Sequence, residues 1–292
     1  MNLPIAYKKV AIYIKPEYLN HKYISGNKLR KLKYNLIQAK QEGFNTLLTF
    51  GGAFSNHIAA VAAAGEEYGL KTIGVIRGEE LALKINDNPT LSFAASKGME
   101  FKFVTRSAYR QKTSQAFIAE LKEEYGAFYL VPEGGTNALA VKGCEEILTP
   151  LDAEMDYICC PVGTGGTISG LINASKDGQK VLGFPALKGD FLSEDICKFA
   201  QKENWELITD YHFGGYAKIN LQLISFINKF KQTYGIPLDP VYTGKMMYGL
   251  FDLIDKGAFS QQSKILAIHT GGLQGIPGMN KTLKQKKLPL IQ

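Results

Sequence analysis

The stretch TLLTFGGAFSNHIAAVAAAGEEYGLKTIGVI, residues 46–76, decides the fold. Its first five residues are β-branched, apolar or aromatic, the composition of a buried strand. Two glycines turn the chain, residues 56–68 read as an alanine-rich helix ending near Gly69, and residues 72–76 read as a second strand. Strand, helix and strand in ~30 residues make one βαβ unit with parallel strands.

The alternation continues in both directions. Residues 91–97 read as helix, 100–104 as extended, 113–125 as helix and 127–131 as extended, closing at Pro132 with Gly134-Gly135 behind it. That completes a four-strand unit. A second series comes after it: helix 138–148, strand 157–160, helix 168–176, strand 181–184, helix 191–203, helices 221–234 and 244–256, and strand 264–269. Residues 10–14 are extended and a helix starts at about Lys28; both are assigned to the second sheet despite their early position. The expectation is an α/β protein of two domains, each an open, twisted, mostly parallel sheet flanked by helices. Residues 1–44 plus 136–292 form the larger domain and residues 45–135 a smaller inserted one, with a ligand cleft between them.

Composition agrees. The 292 residues are 45% hydrophobic and 21% charged, which excludes disorder and suits one large or two modest domains. The longest aliphatic stretch, residues 58–64, is mostly alanine and far short of the ~20 residues a membrane helix needs. Met1-Asn2-Leu3-Pro4 carries no export signal, and Cys144, Cys159, Cys160 and Cys197 read as reduced core thiols, so a cytoplasmic location is expected. The formal charge of +7 gathers densely only at residues 281–287, which read as a solvated tail, so no nucleic-acid partner is expected.

Four segments can carry chemistry. In Ser25-Gly26-Asn27-Lys28-Leu29-Arg30-Lys31-Leu32-Lys33-Tyr34, Asn27 or Ser25 can cap a helix whose first turn holds Lys28. The positive helix end, with Arg30, Lys31 and Lys33 nearby, lowers that amine's pKa and fits it for nucleophilic attack on a carbonyl. Gly163-Thr164-Gly165-Gly166-Thr167, between a strand and a helix, offers free backbone N–H groups to an anion such as phosphate. It is no dinucleotide fingerprint, because Ile168 fills the third glycine slot, and no P-loop, because no Gly-Lys-Ser/Thr comes after it. Gly51-Gly52-Ala53-Phe54-Ser55-Asn56-His57 groups three polar side chains at another helix start, suited to a carboxylate or a ring hydroxyl. His57 lacks an HxxxH partner, and with only His21, His212 and His269 elsewhere no metal is expected. The fourth segment is a pair, Asp239-Pro240-Val241-Tyr242-Thr243-Gly244-Lys245 and His269-Thr270-Gly271-Gly272, placed where open α/β sheets gather ligands.

Taken in order with Pro132-Glu133-Gly134-Gly135-Thr136-Asn137-Ala138, these motifs resemble the pyridoxal 5′-phosphate enzymes that include D-cysteine desulfhydrase and 1-aminocyclopropane-1-carboxylate deaminase, of the tryptophan-synthase-β-like fold (fold type II). The resemblance runs from about Ser25 to Gly272. It implies pyridoxal 5′-phosphate as cofactor, linked covalently through Lys28, with its phosphate on Gly163, Thr164, Gly165, Gly166 and Thr167. Asn56 would meet the pyridine 3′-oxygen, while Ser55, Asn56 and His57 would face the substrate. Tyr242, and Tyr216 in Phe213-Gly214-Gly215-Tyr216, would be acid–base groups beside Lys28 and Ser55. Thr243 and Thr270 would stand near the pyridine nitrogen, where the deaminase branch typically has Glu and Leu and the desulfhydrase branch Ser or Thr. Two hydroxyls there favour elimination from D-cysteine, a small amino-acid substrate, over opening of the cyclopropane ring. A racemase using the same carbon-acid step, or a phosphate-ligand or cofactor carrier without turnover, remains as an alternative. A homodimer is implied by the resemblance alone. Lys15-Pro16-Glu17-Tyr18-Leu19, Phe54 and Ala217 depart from the family's usual residues, Ala217 standing where glycine is common.

Overall fold

The computed structural model describes residues 1–189 and 191–292. Its strands are β1 (Leu3–Tyr7), β2 (Val10–Lys15), β3 (Thr46–Gly51), β4 (Lys71–Arg77), β5 (Met99–Val104), β6 (Tyr129–Val131), β7 (Tyr157–Val162), β8 (Lys180–Pro185), β9 (Trp205–Leu207) and β10 (Lys264–Ile268). They form a four-stranded parallel sheet ordered β5-β4-β3-β6 and a six-stranded sheet ordered β1-β2-β10-β7-β8-β9, parallel except for the β1–β2 hairpin. The early strand β2 lies beside the last one, with Ile12 opposite Ile265, so the α/β expectation and the place of residues 10–14 in the second sheet hold.

The helices are α1 (Asn27–Gln41), α2 (Asn56–Tyr68), α3 (Pro89–Ser96), α4 (Arg106–Arg110), α5 (Gln115–Tyr125), α6 (Ala138–Glu145), α7 (Gly166–Ala174), α8 (Phe191–Cys197), α9 (Leu221–Tyr234), α10 (Thr243–Asp255) and α11 (Ile276–Gln285). α2 fits its sequence closely: Ser55 caps its start by accepting from Ile58 N, and Gly69 in the left-handed region ends it. Leu47, Leu48, Thr49 and Phe50 of β3 are all buried, as a central parallel strand covered on both faces requires.

Several expectations need correction. β1, β9 and α4 lie outside the predicted elements, and the helix read over residues 191–203 stops at Cys197. The basic run at residues 281–287 is no loose tail, although Lys281, Lys284, Lys286 and Lys287 are exposed to solvent as expected. α11 occupies most of it, Leu283 is fully buried, and Lys281 Nζ donates to the Asp87 carbonyl at 2.8 Å. Cys144, Cys159 and Cys160 are buried free thiols, but Cys197 is exposed. No helix among the described residues is long and apolar enough to cross a membrane.

α1 is held from two sides. Leu32 and Ala39 pack with Leu47, Ile58 and Val61 near the small sheet, while Gly143 of α6 lies against the α1 backbone. A Cβ at residue 143 would come within 2.0 Å of the Arg30 carbonyl oxygen. We expect Gly143→Ala to destabilise the protein by roughly 1–3 kcal/mol, the usual cost of overpacking, read as a lowered denaturant midpoint at constant slope. An unchanged midpoint would show that α1 and α6 separate without cost.

Candidate active site

The start of α1 is fixed by backbone before any side chain acts. Gly26, at φ +69°, is its N-cap, and a Cβ there would lie 1.9 Å from the Thr270 carbonyl oxygen, so only glycine fits. Neither Asn27 nor Ser25 caps the helix, contrary to expectation: the Ser25 hydroxyl donates to the Tyr18 carbonyl, and the Asn27 amide donates to Thr167 Oγ1 at 2.8 Å. Asn27 N donates to the Thr270 carbonyl at 3.2 Å, and Arg30 makes two hydrogen bonds to the buried Glu17 carboxylate, at 2.8 and 3.1 Å. Three segments, at Glu17–Tyr18, Thr167 and Thr270, thus pin the first turn that carries Lys28.

Lys28 projects into a cavity of about 550 Å³ between the carboxyl ends of the two sheets. Its Nζ donates to Asn27 Oδ1 at 2.9 Å. Burial, and after it the charge of Lys31, brings its pKa down from 10.5 to about 7. Of the three basic neighbours expected to depress it, only Lys31 acts: Arg30 is paired with Glu17, and Lys33 with Glu146 on the outer face.

Lys31 is the residue that sequence reasoning passed over as a mere flanking charge. It is 3% exposed, and its Nζ donates to the Gly134 carbonyl and Thr136 Oγ1, each at 3.0 Å, and to Thr164 Oγ1 at 3.4 Å. No carboxylate pairs with it among the described residues. The available signal was spacing, since residues i and i+3 share a helix face. This buried, unpaired cation sits against the glycine loop: a Cβ at Gly166 would lie 3.3 Å from Lys31 Nζ and 2.9 Å from Thr136 Oγ1. The loop runs from β7 into α7, whose first N–H groups have no acceptor within the helix. Gly163, Thr164, Gly165 and Thr167 line the cavity. A free N-terminus, threonine hydroxyls and an unpaired ammonium together form a site built for a dianion.

Ser55 and Asn56, at the start of α2, line the wall opposite the glycine loop. His57 also reaches the cavity, but only as a neutral ring. Thr49 Oγ1 donates to the Val131 carbonyl at 2.8 Å, so His57 Nε2 donates to Thr49 Oγ1 at 2.9 Å and Nδ1 is left without a partner. Burial first, then Lys28 and Lys31, hold its pKa well below the ordinary value. It therefore brings no positive charge to the cavity that it lines.

Thr270, at the end of β10, lines the cavity floor; Thr243 does not. The Thr243 side chain is fully buried, donates to Asp239 Oδ1 at 2.7 Å and accepts from Asp239 N at 2.9 Å. It is consumed in closing the Asp239 turn, whose other carboxylate oxygen receives the N–H groups of Val241 and Tyr242. That turn aims the Tyr242 ring at Gly163, where a Cβ would come 3.2 Å from the phenol oxygen. Tyr216 meets Tyr242 edge-on, with ring centroids 6.2 Å apart. Burial raises the pKa of both phenols, Tyr242 to well above 10, so both are protonated at neutral pH. Both also line an outer cavity of about 700 Å³ with Arg77, Lys112 and Glu133, the entry to the inner one.

Known proteins are similar to this chain along most of its length. The family described as "Pyridoxal-phosphate dependent enzyme" matches residues 3–271. A Pyrococcus horikoshii protein, provisionally named 1-aminocyclopropane-1-carboxylate deaminase, is 33% identical over 90% of this chain and 85% of its own. An Arabidopsis thaliana protein named a bifunctional D-cysteine desulfhydrase/1-aminocyclopropane-1-carboxylate deaminase, mitochondrial, is 30% identical over 94% of this chain and 75% of its own. The crystal structure of an ACC deaminase homologue superposes with a TM-score of 0.83 at 31% identity, covering 94% of this chain and 88% of that one.

Proposed function

The chain belongs to the pyridoxal-phosphate dependent enzymes, and on that premise we propose that it is a lyase that eliminates the β-substituent of a small D-amino acid, with D-cysteine giving pyruvate, ammonia and sulfide. The residues present fit the cofactor. Lys31, Thr164, Thr167 and the amides of the glycine loop would hold its phosphate, Asn56 its ring oxygen, and Lys28 its covalent attachment. When bound, the cofactor supplies an electron sink that acidifies the substrate α-carbon.

The protein's own groups do the rest. Lys28 Nζ, titrating near 7, can hold the α-proton or release it at neutral pH. Ser55 and Asn56 offer hydroxyl, amide and helix N-terminus to the substrate carboxylate. The Tyr242 Oη, kept protonated by burial, delivers a proton to the departing sulfur, and Tyr216 closes the entry beside it. In balance, the α-proton goes to the lysine, its electron pair forms a carbon–carbon double bond as the carbon–sulfur bond breaks with its own pair on sulfur, and tautomerisation and hydrolysis of the enamine that is left give pyruvate and ammonia. We take residues 45–135 as the inserted unit whose Ser55–Asn56 wall moves against the rest, in a cytoplasmic homodimer.

One observation favours elimination over ring opening. The inner cavity is lined here by the neutral Thr270 hydroxyl, while the nearby Asp239 carboxylate, which takes the Thr243 hydroxyl and the N–H groups of Val241, Tyr242 and Thr243, does not line it. A carboxylate there would keep a ring nitrogen protonated; a hydroxyl does not. The test is product release from the cofactor-loaded protein with D-cysteine, L-cysteine and 1-aminocyclopropane-1-carboxylate in parallel. Pyruvate and sulfide from D-cysteine alone are expected. 2-Oxobutyrate from the cyclopropane substrate would make it a deaminase, and no product from any of the three would remove the reading.

A further inference from the structure

Lys245 is the largest fully buried side chain among the described residues, 1% exposed, and it lies outside the cavity that holds Lys28. Its Nζ donates to the carbonyls of Gly215 at 2.7 Å, His212 at 2.8 Å and Ala186 at 3.5 Å. Three N–H bonds meet three carbonyls, with no carboxylate pairing it among the described residues. Burial lowers its pKa to about 8, with Asp239 pulling the other way, so the amine is mostly charged at neutral pH.

Two of those carbonyls belong to an unusual turn. Phe213, Gly214, Gly215 and Ala217 all have φ between +55° and +118°, and two of the four are not glycine. A left-handed run of this kind persists only where surrounding contacts hold it. Its internal bonds are few: Gly214 N to His212 Nδ1, Gly215 N to the His212 carbonyl, and Lys218 N to the Gly215 carbonyl. Tyr216 rides at its crest, lining both the inner cavity and its entry against Tyr242. Lys245 itself stands two residues after Thr243 on α10, so the helix that aims Tyr242 from its start also grips the turn that presents Tyr216.

We infer that Lys245 is a positioning residue: its ammonium clamps the 212–217 turn onto α10 and thereby holds Tyr216 over the substrate cavity in register with Tyr242. The left-handed backbone stores the strain, and the buried charge supplies the restraint. The kinetic consequence rests on the lyase reading, while the clamp itself is observable without substrate.

The experiment uses the holoenzyme of wild type, Lys245→Met, Lys245→Gln, Tyr216→Ala and the double variant Lys245→Met/Tyr216→Ala. Amide hydrogen exchange is followed over residues 212–218 and over α10, and KM and kcat are measured with whichever substrate is turned over. Exchange over 212–218 should accelerate at least tenfold in Lys245→Met and less in Lys245→Gln, which keeps two donors, while the α10 interior stays protected. KM should rise about tenfold in Lys245→Met, and this increment should vanish in the Tyr216→Ala background. Wild-type exchange over 212–218, equal acceleration throughout α10, or the same tenfold increment without Tyr216 would each overturn the inference. Should Lys245→Met fail to fold, the same comparisons with Lys245→Gln decide. Should no substrate be turned over, the exchange pattern alone decides, so loss of the lyase reading is distinguishable from loss of the clamp.

Discussion

Lys28→Ala is expected to abolish covalent attachment of the cofactor and to lower kcat/KM by on the order of 10³-fold or more, the loss of a general base together with its covalent role. Borohydride treatment should leave the cofactor bound through dialysis in the wild type and release it from the variant. The wild type should also show the pKa of this amine directly. At the ordinary value of 10.5 only about one lysine in 3,000 is neutral at pH 7, whereas at about 7 half are. The reactive species is the neutral amine, so the rate at which apoprotein captures the cofactor should rise through pH 7 and level off by about pH 8. A rate still climbing at pH 10 would mean that Lys28 is solvated, and full turnover in Lys28→Ala would place the reaction on another residue.

Much of this site is legible in the sequence because its parts are backbone features. The β7–α7 glycine loop, the α2 start after two glycines, and the α1 start after Gly26 all obey local rules, and each is where the sequence places it. What escapes is what depends on partners distant in the chain. Lys31 and Lys33 look alike in the sequence; only the fold turns one toward Thr136 and Thr164 and leaves the other with Glu146. Lys245 reads as the end of a motif, and its three acceptors lie 30 to 59 residues away. Thr243 misleads in the opposite sense: its slot suggests contact with the cofactor, but Asp239, four residues earlier, claims the hydroxyl. β1 and β9 are short strands at the two edges of one sheet, where pairing with a neighbour decides and intrinsic preference is weak.

Lys31→Met should separate binding from stability. In the apoprotein the ammonium is buried with carbonyl and hydroxyl partners and no counter-charge among the described residues, an arrangement that an apolar side chain of similar length improves. The apo variant should therefore unfold at a higher temperature than the apo wild type. Cofactor binding should move the other way, weakening by on the order of 100-fold, or ~2.7 kcal/mol, because a charge-assisted contact to the phosphate is lost. Lys28 should feel the change as well. The Lys31 charge contributes to its depressed pKa, so removing that charge raises the pKa, and the plateau of cofactor capture should shift to higher pH. The three effects share one cause and differ in sign, which makes the combination hard to imitate. A variant that merely disturbs packing would lose stability and affinity together, and one in which Lys31 plays no part in phosphate binding would keep wild-type affinity at every pH.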